Sequence, residues 1–115
     1  MLIAKMVLFQ YCATRGGYLA DIVSRIEQTN LNTILRRDYV YWIGLSDLAI
    51  EGRFVWQLSL SPLRGYTNWD QGEPNNKVWR GVDEDCVLLW TRGRQGGWGW
   101  NDSRCQTNRY ALCKS

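Results

Sequence analysis

The 115-residue sequence contains no histidine. That absence removes the commonest general base and the commonest transition-metal ligand. A Ser-His or Cys-His nucleophile pair is excluded, and zinc is disfavoured. A run approaching the ~18 apolar residues of a membrane helix is also missing, so no segment is expected to insert into a bilayer. There is no Cys-x-x-Cys pair, no internal repeat and no linker-like stretch. A strong charge bias is lacking as well: 14 basic against 11 acidic residues leave a net charge of +3, too mild to argue for nucleic acid.

What is present describes one soluble domain. The length suits a single hydrophobic core and is short for two. A hydrophobic share of 45% with 22% charged residues is that of a globular chain rather than a disordered one. Tryptophan is over-represented at seven copies, which suits either a core or a sugar-binding or interface surface. Four cysteines, Cys12, Cys86, Cys105 and Cys113, point to two disulfides formed in an oxidising compartment. Spacing alone leaves three connectivities open.

Along the chain, residues 2 to 12 read as the remainder of an amphipathic helix. Ser24 followed by Glu27 forms a capping box and starts a helix running to about Arg36, with Ile26, Leu31, Ile34 and Leu35 as its loosely defined apolar face. The run YVYWIGLSD predicts a strand buried on both faces, Phe54 to Trp56 a second short strand, and Cys86 to Trp90 a third. Residues 57 to 81 have no period, and a loop of that length inside a small domain is usually functional. Arg92 and Arg94 mark a solvated, glycine-rich loop tip. Helices early, short antiparallel strands late and one long irregular loop make an α+β domain spanning residues 1 to 115.

The chemistry is concentrated in GEPNNKVWRGVDEDC, residues 72 to 86, and in Trp100-Asn101-Asp102. Glu73, Asn75, Glu84, Asn101 and Asp102 all offer side-chain oxygens, with Asp47, Glu51, Asn76 and Asp85 nearby in the pattern. Such a mixture of carboxylates and amide carbonyls on bendable loops suits a hard cation, and calcium more than magnesium. Without a cation, several carboxylates packed together force one to hold a proton. Pro74 permits a cis peptide bond that turns Glu73 and Asn75 the same way. With one oxygen on a cation, Glu73 can still accept and Asn75 can still donate, so a sugar diol could be held by both.

These residues carry a resemblance. WIGL at 42 to 45, EPN at 73 to 75, EDC at 84 to 86, WND at 100 to 102 and the four cysteines together resemble the carbohydrate-recognition domain of C-type lectins, from about Cys12 to Lys114. YWIGLSDLAIEGRFVW, followed by YTNW, resembles perlucin-like lectins of molluscs in particular. The resemblance implies nested disulfides, Cys12 to Cys113 and Cys86 to Cys105. It implies a principal calcium site of Glu73, Asn75, Glu84, Asn101 and Asp102, of which Glu73, Asn75, Glu84 and Asn101 also bind the sugar. EPN is the family's pattern for mannose-type glycans. An auxiliary site maps to Asp47, Glu51, Glu84 and Asp85, with Asn76 where an aspartate is common, so that a second ion should bind weakly. Trp79 is a possible sugar contact, and Trp42, Trp56, Trp69 and Trp100 are core positions.

Departures from the family pattern are a longer loop before Glu84 and a first strand that is missing ahead of Met1, leaving an unpaired edge near Tyr110 to Lys114. Asn101-Asp102-Ser103 is formally a glycosylation sequon, whose use would abolish the site. The implied function is that of a secreted, calcium-dependent, non-enzymatic lectin that oligomerises for avidity. The alternative is an extracellular matrix protein binding calcium carbonate or protein partners.

Overall fold

The computed structural model describes residues 2–4, 11–74, 85–91 and 97–115. Strand β1 (Leu2–Ala4) is followed by helix α1, described over residues 11–13, then β2 (Tyr18–Leu19), α2 (Arg25–Ile34), β3 (Tyr41–Ser46), β4 (Val55–Trp56), β5 (Cys86–Thr91), β6 (Trp98–Ser103), β7 (Asn108–Ala111) and β8 (Cys113–Lys114). The main sheet has the order β1-β7-β3-β5-β6, with β4 also paired to β3, and β2 pairs with β8 in a second, two-stranded sheet. All these pairings are antiparallel except β3 with β7.

Every residue of β3 is buried. That is the physical meaning of an apolar run without alternation: both faces of the strand are covered. One face carries the larger core, built on Tyr41, Ile43, Leu45, Val87, Leu89 and Trp100. The other contains Trp42, Leu88, Cys12, Cys86 and Cys105. Gly44 sits where β2 crosses close by: its N–H donates to Ala20 O at 2.8 Å, and a Cβ there would lie 2.7 Å from Leu19 O. Only glycine allows that approach.

The cystines are Cys12–Cys113 and Cys86–Cys105, the nested pairing. The longer one ties the first helix to the last strand across a separation of 101 residues. The second links β5 to the segment after β6, 19 residues apart.

Helix α2 begins at its expected cap. Ser24 Oγ accepts from Glu27 N at 3.1 Å, and Glu27 Oε1 accepts from Val23 N at 3.0 Å, one residue earlier than in the usual box. The helix ends at Ile34, capped by Leu35. Its apolar face is narrower than the sequence suggests: Leu31 and Leu35 pack on the core, whereas Ile26 and Ile34 are exposed. The fully buried helix position is instead Gln28, because Trp100 needs an acceptor there.

Of the helix expected over residues 2 to 12, Tyr11 and Cys12 are helical, residues 5 to 10 lie outside the described residues, and residues 2 to 4 require correction. Residues 2–4 are not helix but strand β1, paired with Asn108–Tyr110, so the edge near Tyr110 has its partner. A helix this short and interrupted by Lys5 is marginal alone, while the open backbone of β7 offers hydrogen bonds immediately.

Candidate functional site

Two groups of side-chain oxygens are positioned at one end of β5 and β6. The first is placed by β6, where Asn101 and Asp102 lie opposite Leu88 and Val87 of β5. Asp102 is fully buried. Asn101 Oδ1 is buried too, and has no hydrogen-bond partner among the described residues. A buried amide oxygen left without a donor costs free energy, so its retention points to a ligand that takes the lone pairs.

Glu73 reaches the same neighbourhood through the backbone of residues 68–73. Trp100 N–H donates to Asn68 O and Asp70 N–H to Trp100 O, both at 2.8 Å, and Glu73 N–H then donates to Asp70 O at 2.9 Å. Asn68 adds a side-chain bond from Nδ2 to Trp98 O at 2.7 Å. Asp70 Oδ2 accepts from Trp90 Nε1 at 3.1 Å. The irregular segment is thus stitched to β6 one residue away from Asn101. The Glu73–Pro74 peptide is cis, as the sequence reading allowed.

The stitching depends on Trp100. Its ring is fully buried, stands edge-on to Trp56, Tyr66 and Trp69, and donates from Nε1 to Gln28 Oε1 at 2.9 Å. Trp42, Trp56 and Trp100 are buried and Trp69 packs against the core, as expected; Trp98 joins them. Asn68, Asp70 and Gln28 were missed as site supports. A polar residue alone on the apolar side of α2, and the Asn-Trp-Asp triplet after Tyr66, were the available signals.

The second group is Asp47, Glu51 and Asp85, each offering an oxygen within 4.8 Å of the others. Asp47 is buried at the end of β3; its N–H donates to Asp85 O at 3.0 Å and its Oδ2 accepts from Gly52 N at 2.9 Å. Hydrogen bonding to Asp47, then desolvation, then Asp85 push the Glu51 carboxyl up to about 7. That is the response of crowded carboxylates without a cation.

Asn75, Asn76, Trp79 and Glu84 lie outside the described residues, as do Arg92 and Arg94. Both described groups fit calcium: every donor is oxygen, one buried amide oxygen lacks a partner, and three carboxylates converge. Glu73, Asn101 and Asp102 would hold one ion; Asp47, Glu51 and Asp85 would hold another.

Comparison with known proteins identifies the family and the fold. The family model described as Lectin C-type domain matches residues 8–115. Salivary C-type lectin 2 of Aedes albopictus is 34% identical over 113 residues, which cover 91% of this chain and 72% of that protein. Perlucin of Haliotis laevigata is 36% identical over 107 residues, 90% of this chain and 64% of perlucin. The solved C-type lectin domain of murine dendritic cell inhibitory receptor 2, in complex with N-glycan, superposes with a TM-score of 0.82 at 28% identity, over 97% of this chain and 81% of that one. The chain belongs to the C-type lectin domain family, whose domains bind carbohydrate and are not enzymes.

Proposed function

We propose that the domain binds mannose-type glycans in a calcium-dependent manner, with Glu73, Asn75, Glu84, Asn101 and Asp102 holding the principal ion. The observation that carries this reading is the buried Asn101 Oδ1 without a partner among the described residues, on a strand to which Glu73 is stitched through Asp70 and Trp100. Calcium held there supplies coordination positions for two adjacent sugar hydroxyls. The protein's own part is to orient donors and acceptors around that diol: Glu73 and Glu84 accept from its hydroxyls, and Asn75 and Asn101 donate through their amides. Trp79, between Asn75 and Glu84 in the sequence, would stack on or shield the sugar.

Such a site buries few atoms, so single-domain affinity is about millimolar. Useful retention then comes from several linked copies, hence a homo-oligomer. Two disulfides support a setting outside the reducing cytosol, and the proposal is a secreted or extracellular domain. The auxiliary group, with Asn76 in place of a carboxylate, holds its ion weakly.

Exchange of Glu73→Gln together with Asn75→Asp tests the assignment. The double variant is expected to shift preference from mannose towards galactose on a monosaccharide array run with and without chelator. Unchanged preference refutes the role given to these two residues. Calcium binding by the wild type without retention of any sugar transfers support to the matrix reading, in which calcium carbonate or protein partners are bound.

A further inference from the structure

A second concave site is built by residues outside both oxygen groups. A pocket of about 560 Å³ opens between the turn at residues 49–53, the start of β4 and residues 62–64. That volume falls within the range of about 300–1,000 Å³ used by small-molecule sites. Its lining is mainly apolar, with Phe54, Val55, Leu63 and the more exposed Ile50, and Arg53 and Arg64 stand with them.

The walls are pre-formed. Leu63 N–H donates to Phe54 O at 2.9 Å, Val55 and Pro62 form a β-bridge, and the Phe54 ring is held edge-on by Trp69 at 5.0 Å. The charge is one-sided. No carboxylate belongs to the described lining, and neither arginine forms an ion pair with a described residue. Ile50 leaves more than half of its surface exposed at the rim, an apolar area that the chain does not cover with its described residues.

Two exposed guanidinium groups beside an apolar floor complement one chemical class. We propose that this pocket binds a small anionic amphiphile, its apolar chain on Ile50, Phe54, Val55 and Leu63 and its carboxylate between Arg53 and Arg64. Arginine suits that end because its planar fork meets a carboxylate with two parallel hydrogen bonds. The chain end is driven by removal of apolar surface from water. No lining residue is a ligand in the calcium reading, and only Glu51 of the auxiliary group shares the 49–53 turn, so the pocket is tested in chelator, apart from the sugar site.

The test is calorimetric titration of monomeric decanoate into the oxidised protein in chelator, which also prevents calcium soaps. The expected result is saturable one-site binding, no binding of decyltrimethylammonium, and amide shift changes confined to the segments 49–55 and 62–64. Arg53→Gln/Arg64→Gln, checked for unaltered thermal unfolding, is expected to weaken decanoate binding at least about tenfold. Equal binding of both amphiphiles, an unchanged affinity in the double variant, shift changes elsewhere or no binding at all overturns the proposal. Adsorption to vesicles of anionic phospholipid without binding of monomeric decanoate overturns it as well, in favour of a membrane surface.

Discussion

Replacing Gln28 by methionine removes a buried side-chain hydrogen bond that joins helix α2 to the strand bearing Asn101 and Asp102. Methionine keeps nearly the same length and volume, so no cavity is opened. What is lost is the acceptor for Trp100 Nε1–H, which lies at 2.9 Å in a wholly buried position. The donor from Gln28 Nε2 to Asn32 Oδ1, also 2.9 Å, goes with it. Asn32 can turn to water. The indole N–H cannot, so it carries the full penalty of a buried unsatisfied donor, about 2 kcal/mol.

For a domain of this size that corresponds to a fall in melting temperature of about 8 °C. Urea unfolding of the oxidised protein in chelator gives the free energy directly, and the slope of the transition should not change. A double-mutant cycle with Trp100→Phe separates the bond from other effects. Phenylalanine has no N–H, so Gln28→Met should cost about 1–2 kcal/mol less in that background. A loss below about 0.5 kcal/mol in the wild-type background, or the same loss in both, refutes the argument that this bond anchors Trp100.

Three further outcomes are expected. Gly44→Ala should destabilise by about 3 kcal/mol or prevent oxidative refolding, since its Cβ would press on backbone rather than on a movable side chain; near-native unfolding midpoints contradict this. Removing Cys12–Cys113 by double serine substitution should cost about 5 kcal/mol and removing Cys86–Cys105 about 3 kcal/mol, from separations of 101 and 19 residues; the reverse order in denaturant unfolding refutes the loop-closure account. The Glu51 carboxyl, raised from 4.5 to about 7 by Asp47, desolvation and Asp85, favours the folded ion-free protein below its ordinary value, and that contribution is lost as pH rises through 7. A cation at this group displaces the proton, so calcium should bind more weakly at about pH 5.5 than at about pH 7.5 and release protons near neutrality. Calorimetric enthalpies that do not depend on the buffer's ionisation enthalpy refute it.

Local signals were legible where local chemistry decides. Ser24 and Glu27 cap α2 because a hydroxyl and a carboxylate at that spacing meet free N–H groups. The nearly continuous apolar run at Tyr41–Ser46 reads as a strand covered on both sides, and it is one. Strand β1 was not legible: three residues gain their identity from a partner more than a hundred positions away. Ile26 and Ile34 fitted a helical apolar face yet stay in water, because Gln28 takes the buried place to satisfy Trp100.

The oxygen-rich segments of the site could be picked out one by one. The placement of residues 68–73 beside β6 could not, since it rests on backbone hydrogen bonds from Trp100 N–H to Asn68 and from Asp70 N–H to Trp100 that no periodic pattern encodes. The apolar pocket beside Arg53 and Arg64 was equally invisible, being formed by two short segments without a shared motif.

The most direct test of the central claim is calorimetric titration of calcium into refolded, oxidised protein, followed by passage over mannose resin and elution with chelator. The account predicts that calcium binds, that the calcium-loaded protein is retained, and that chelator releases it. Absence of calcium binding, or passage through the resin with calcium bound, contradicts the claim that Glu73, Asn101 and their neighbours form a sugar-binding calcium centre.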